Sequence, residues 1–93
     1  MLKPTREQLA DQVEHVLLPV VRGLVDSPDR VGADITITDQ IILVELTCAR
    51  GDEGQVIGKE GRHADSLRTI FNGVFCRLGR RFHLVCPSTQ GIQ

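Results

Sequence analysis

The fold class this sequence predicts is an α+β layer: one three-stranded sheet with helices packed on one face. Three observations lead there. Apolar residues recur at three- and four-residue steps along residues 5–24 and again after Gly61. They alternate with polar residues between Asp34 and Cys48, and reappear as a short apolar run in Phe82–Cys86. Glycine, proline and aspartate punctuate the gaps. The first spacing belongs to helices with one buried stripe, the second to strands with one buried face. The order is helix, strand, strand, helix, helix, strand, which makes two layers around one core.

The first helix opens at a capping box, Thr5 with Gln8 three residues later, behind Pro4. Leu9, Val13, Leu17, Val20, Val21 and Leu24 are its expected core stripe, with Glu7, Asp11, Glu14 and Arg22 on the wet face. Pro19 lies inside it, removes an amide donor and crowds the preceding turn, so a kink is expected there. Asp26-Ser27-Pro28-Asp29 ends the helix in a loop.

Ile35 and Ile37 interleave with Asp34, Thr36 and Thr38 to make a first strand, and Asp39-Gln40 turns the chain. In Ile41–Cys48, residues Ile42, Val44, Leu46 and Cys48 form one apolar face, opposite the more mixed Ile41, Leu43, Glu45 and Thr47. The two strands read as an antiparallel pair. Asp52 stands where an N-cap belongs and Gly58 where a C-terminal glycine belongs, bounding a short helix. A longer helix follows from Gly61 to about Gly79. Its expected stripe is Ala64, Leu67, Phe71, Val74 and Leu78, with Ile70 and Phe75 alongside. Phe82–Cys86 is a third strand, stopped by Pro87. Residues 1–87 are thus expected to be one domain and residues 88–93 a disordered tail.

At 93 residues there is no room for a second core. A composition of 41% hydrophobic and 25% charged residues is that of an ordinary globular chain. Arg22 interrupts the longest apolar stretch, so no membrane span is expected, and the N-terminus lacks the pattern of a secretory signal. Cys48, Cys76 and Cys86 show no C-x-x-C spacing, which excludes a disulfide framework and a zinc site and suits a reducing cytoplasm. His15, His63 and His83 are too scattered for metal ligands and read as structural or solvent-facing. No nucleophile–base pair and no converging carboxylates stand out, so neither an enzyme nor a cofactor is expected.

The net charge of −1 hides a division. Residues 1–54 hold five Lys/Arg against ten Asp/Glu, whereas residues 55–81 hold six against two. Such asymmetry points to an anionic partner for the second half. Within that half, "VIGKEGR" (Val56–Arg62) places glycines on both sides of a Lys-Glu pair, between two helices. Glycines let a backbone approach a ligand closely, and the amides and dipole at the start of the second helix favour an anion. Arg62, in that first turn, is unfavourably placed for the helix itself unless something anionic visits. A nucleoside-triphosphate P-loop does not fit. Three residues rather than four separate Gly54 from Gly58, Glu60 stands where Ser or Thr would hold magnesium, and the loop follows a helix.

The stretch "GQVIGKEGRHADSLRTIF" resembles the core of a KH domain, with Gly58-Lys59-Glu60-Gly61 as its G-x-x-G loop. The preceding "GxVIG", the following arginine, the Leu-Arg-x-Ile step at Leu67–Ile70 and the element order resemble the type II KH arrangement of bacteria. Chain length and "LLPVVRGLVDSPD" resemble the small single-KH proteins of the KhpA family. The resemblance spans roughly residues 5–87. It implies a type II KH fold and a loop that clamps the backbone of about four nucleotides. Carried onto this chain, Gly58–Gly61 is the clamp with Lys59 and Glu60 as its variable pair. Gly54 permits close approach, Ile57 helps floor the groove, and Arg62 reaches a phosphate or sugar. Glu60 departs from the basic or neutral residue many such loops carry. The absence of Trp and Tyr, with only three Phe, excludes modules that stack bases on surface aromatics.

The resemblance further implies a cytoplasmic binder of single-stranded RNA with low sequence specificity, acting as a post-transcriptional regulator or RNA chaperone. Self-association, or a larger KH-containing partner, would add avidity. The alternative is a KH-fold protein-interaction or dimerisation module with little RNA binding of its own. Arg77, Arg80 and Arg81 are expected to complement the end of the long helix rather than line the groove.

Overall fold

The computed structural model describes residues 4–87; the expected disordered tail, 88–93, lies outside the described residues. The elements are α1 (Arg6–Arg22), β1 (Gly32–Ile37), β2 (Ile41–Thr47), α2 (Glu53–Ile57), α3 (Arg62–Cys76) and β3 (Arg81–Val85). Single 3-10 turns form at Pro28–Arg30 and Lys59–Gly61. This is the α-β-β-α-α-β order expected from the sequence.

The sheet order is β1-β2-β3. β1 and β2 are antiparallel, with Ile35 opposite Val44, while β2 and β3 are parallel, with Val44 opposite Leu84. Because side chains alternate across a strand, Ile42, Val44, Leu46, Phe82 and Leu84 fall on one face and are all buried. The helices cover that face: α1 lies against β1 and α3 against β3. The opposite face carries Thr36, Glu45, Thr47, His83 and Val85, all exposed, with half-buried Leu43 among them. All three phenylalanines are in the core, Phe82 stacked on Phe71 at 5.1 Å and on Phe75 at 6.0 Å.

The capping box forms as read from the sequence. Thr5 Oγ1 accepts from the Gln8 amide at 3.1 Å, and Gln8 Oε1 accepts from the Thr5 amide at 2.8 Å. α1 runs on in helical form past Pro19 to Arg22. Its buried stripe is Leu9, Val13, Leu17, Leu18 and Val21, so Leu18 replaces the expected Val20, which is 47% exposed. Steps of four advance 400° on a helix of 3.6 residues per turn, about 40° beyond a full turn. The stripe therefore winds round the helix and reaches Leu18 at its far flank. Arg6 Nη2 meets Asp39 Oδ1 at 2.7 Å, tying the start of α1 to the hairpin turn. The same hydrogen bond and charge hold the Asp39 carboxyl below its usual range.

A second correction concerns α3. Ala64, Leu67, Phe71 and Phe75 are buried, whereas Ile70, Val74 and Leu78 are 60%, 51% and 39% exposed. The cause is the edge of β3. Arg68 and Asn72, one turn apart, both turn toward it. Arg68 donates to the Leu84 carbonyl at 3.1 Å, and Asn72 Oδ1 accepts from the Phe82 amide at 3.0 Å. Seating these two polar side chains on the strand leaves Ile70 and Val74 on the outer flank. Leu78 lies past the helix end, in the turn before Gly79.

Leu17→Ala, at a site with no exposure, is expected to cost about 2–5 kcal/mol in chemical unfolding. Val20→Ala should stay within about 0.5 kcal/mol. Equal losses would contradict this rotation of α1.

Candidate nucleic-acid interface

α2 has five residues, too few to hold helical shape alone, and its position comes from tertiary ties. Val56 is fully buried in the core. Asp52 occupies the N-cap position as expected, but its carboxylate does not cap the helix. It is buried and accepts from the Ser27 amide at 3.1 Å, reaching across to the loop after α1. Gln55 Nε2 donates to Asp26 Oδ2 at 3.3 Å in the same direction. The acidic "DSPD" loop thus holds α2 from behind, leaving its other side to the solvent.

The far end of α2 is closed by His63. Its Nδ1 lies 2.8 Å from the Gln55 carbonyl. Gly58 accepts this arrangement only because it has no side chain. A Cβ there would lie 2.6 Å from Cγ of the His63 ring, and the residue sits at φ +80°. Gly58 donates to the Gly54 carbonyl at 2.8 Å and accepts from the Gly61 amide at 3.1 Å. Gly61 follows at φ +77°, and between the glycines Glu60 takes φ +57°, a left-handed conformation that side-chain-bearing residues seldom adopt. Three of the four G-x-x-G residues therefore have positive φ, and the chain reverses from one helix into the next within Gly58–Gly61.

All the residues singled out from the sequence fall on this one projection. Gly54 is exposed on α2 with open space where a Cβ would point. Ile57 is half-buried at the end of α2. Lys59 and Glu60 are exposed, Gly61 is the N-cap residue of α3, and Arg62 is its first helical residue. Among the described residues no side chain caps the N-terminus of α3, and its first amide, that of Arg62, donates to the Lys59 carbonyl. The Arg62 guanidinium meets Glu60: its Nη2 stands 3.7 Å from Glu60 Oε1, with both side chains at least 70% exposed. Asp65 faces Arg68 instead, at 3.4 Å. An exposed pair at such a distance contributes little to stability, so the Arg62 guanidinium is available to an anion.

Two other cations of this half, Arg68 and Arg80, are committed elsewhere. Arg68 is held by Leu84 and Asp65. Arg80 departs from its expected place, because its Nε donates to the Thr38 carbonyl at 3.0 Å and braces the β1–β2 turn. Arg77 does stand at the end of α3, as its C-cap residue. Beside β3 an open hollow of about 530 Å³ is lined by Leu43, Arg68, Asn72 and residues 81–85. The roles of His63, Arg68 and Asn72 escaped the sequence. The four-residue step from Arg68 to Asn72 is the one signal that could have shown a shared polar face. Burial raises the Cys48 and Cys86 thiols above their usual range, Cys48 with help from Glu53 and Asp52, and all three cysteines are free.

The two glycines flanking Val56 differ physically. Gly54→Ala should raise stability by about 0.5–1 kcal/mol, since a helical glycine gains from restricting the unfolded chain. Gly58→Ala should lower it by more than about 1 kcal/mol. Chemical denaturation of the two variants checks the contrast, and an equal response would refute the contact of Gly58 with the His63 ring.

The family model described as "KhpA/KhpB, KH domain" matches residues 14–85. Among curated proteins, the chain is similar to RNA-binding protein KhpA of Mycobacterium leprae, with 42% identity over 66 residues, covering 71% of this chain and 78% of the relative. RNA-binding protein KhpA of Clostridium acetobutylicum is 35% identical over 69 residues, covering 74% and 92%. That of Bacillus subtilis is 40% identical over 65 residues, covering 70% and 75%. No solved structure matches the chain. The match spans most of the chain, and the chain belongs to the KhpA/KhpB KH-domain family.

Proposed function

We propose that this protein binds single-stranded RNA in the cytoplasm, gripping the phosphate backbone at Gly58–Gly61, with low sequence specificity. One observation carries the reading: the uncapped N-terminus of α3 projects behind a glycine-bracketed turn, flanked by the exposed cations Lys59 and Arg62. Oriented amides, a helix dipole and mobile cations together form a phosphate site. Gly54 and Ile57 extend it into a groove along α2 that needs no aromatic surface. The relatives named RNA-binding protein KhpA support the ligand class. The role is that of a binding protein, a post-transcriptional regulator or RNA chaperone, rather than an enzyme.

Affinity follows from the charge count. With Arg68 held by β3, Lys59 and Arg62 neutralise two phosphates. At about −0.7 per phosphate, log K against log salt should have a slope near −1.4 for a single strand. Replacing Lys59 and Glu60 together by Asp should abolish binding of pooled cellular RNA, because two carboxylates then face the phosphates. The thermal midpoint should hardly move, both side chains being exposed. Undiminished binding by the double variant, or a slope near −5, would sink the clamp reading.

A specific observation favours association as a second property. Ile70, Val74 and Leu78 make an exposed apolar stripe along the outer flank of α3 and the turn after it. Gly73 lies beside the stripe with open space above its Cα, which lets another backbone come close. The stripe suits a second copy of this chain, giving a dimer with two RNA grooves and the avidity that follows. A larger KH-containing protein is the other candidate partner. Sedimentation velocity of the parent and of Val74→Glu tests this: a dimer that becomes a monomer is expected, and a monomeric parent would refute self-association.

A further inference from the structure

His63 is the second residue of α3, yet its ring turns back over the preceding loop. A carbonyl oxygen can only accept, so the 2.8 Å contact with Gln55 places a proton on Nδ1 and leaves Nε2 as the free nitrogen of the neutral ring. The ring packs directly on Gly58, where a Cβ would come within 2.8 Å of both Cγ and Nδ1. It therefore joins the last turn of α2 to the first turn of α3 at the base of the Gly58–Gly61 loop. The last turn of α2 holds no basic residue, so this imidazole is the group set against its carbonyl end.

We propose that His63 is a positioning residue for the RNA-gripping loop, and that protonation of its ring tightens the grip. The inference rests on the RNA reading above. Protonation occurs at Nε2 and leaves the Nδ1–H bond to Gln55 intact, so the brace keeps its geometry. The bond becomes charge-assisted, and the charge stands between the carbonyl end of α2, which favours a cation, and the first turn of α3, which does not. Lys59, Glu60 and Arg62 carry one net positive charge between them. A charged His63 doubles it, beside the site where phosphate arrives.

The charged groups of every element packed there leave the ring to this task. On α2, Glu53 accepts from the Gly51 amide at 2.8 Å. In the loop, Glu60 is paired with Arg62, and Lys59 is exposed. On α3, Asp65 is paired with Arg68. Among the described residues, the Gln55 carbonyl is the hydrogen-bond partner of the ring. Imidazoles titrate between pH 5 and 8, where RNA phosphates keep their charge.

The test uses the full chain and a fluorescent mixed-sequence single-stranded RNA 12-mer, titrated by anisotropy from pH 5.5 to 8 at constant ionic strength. Wild-type affinity should rise about five-fold toward pH 5.5, the size of one partly exposed charge contact. His63→Gln keeps an N–H donor for the carbonyl but does not titrate. It should bind within about two-fold of wild type at pH 8 and show no rise toward low pH. His63→Ala should be equally flat and about three- to five-fold weaker at pH 8. Nitrogen-15 shifts of the wild-type ring should show the Nδ1–H form at pH 8. A pH rise that persists in His63→Gln, or an Nε2–H ring, overturns the proposal. Thermal midpoints identify a variant that fails to fold, and His63→Gln then decides alone. If Lys59→Asp/Glu60→Asp binds the 12-mer like wild type, the loop is not the site and the RNA reading fails with the inference. Loss of binding in that variant, with no pH rise in wild type, defeats the inference alone.

Discussion

α2 and α3 meet across a joint four residues long, and a joint so short closes only where one backbone can lie flat against a ring. That contact, Gly58 under the imidazole of His63, governs the surroundings of the loop. It sets the direction in which α3 leaves, and so where the uncapped N-terminus of α3 points. It forces the reversal into Lys59–Gly61, where Glu60 takes a left-handed conformation that costs of the order of 1 kcal/mol. The exposure of Lys59 and Arg62 follows, because a turn this tight has no interior to receive them. The core contributes stiffness from behind, with Val56 fully buried and Asp52 and Gln55 bonded into the loop after α1.

The second constraint lies at the sheet edge. Among the described residues β3 has a strand partner on one side only, and an open strand edge invites pairing with other chains. α3 answers with two side chains a turn apart, Arg68 on the Leu84 carbonyl and Asn72 on the Phe82 amide. This engagement rotates α3 so that its polar contacts face the strand and its surplus apolar residues face out. One packing decision therefore shields a backbone edge and exposes the Ile70–Val74 stripe. It also removes Arg68 from the cations free to meet a polyanion.

Much of this was legible in the chain, and the misses have physical causes. The capping box at Thr5 and Gln8, the hairpin alternation from Ile35 to Leu46 and the glycines around Lys59 are local signals, and each was realised locally. Helix phase was less legible. Val20, Val74 and Leu78 satisfy the three-and-four spacing, but whether such a position is covered depends on where the sheet lies. Asp52 shows the same limit: an aspartate at a helix start looks like a cap, yet the half-buried amide of Ser27 from another loop outcompetes its own helix. The contact of Arg62 with Glu60 was not legible either, because it depends on the left-handed turn that brings Glu60 back beside the helix start. His63 carries no motif at all. Its role emerges only when Gly58 and Gln55 are placed beside it.

The parallel pairing of β2 and β3 has a consequence for how the chain reaches this state. The β1–β2 hairpin is closed by a three-residue connection, so it can form from neighbouring sequence alone. β3 can dock beside β2 only after residues 48–80 have been carried round, a non-local closure with the larger entropic cost. α2, the loop and α3 all lie within that crossover. The surface best suited to meet another molecule is therefore the part of the protein whose shape waits for the last strand.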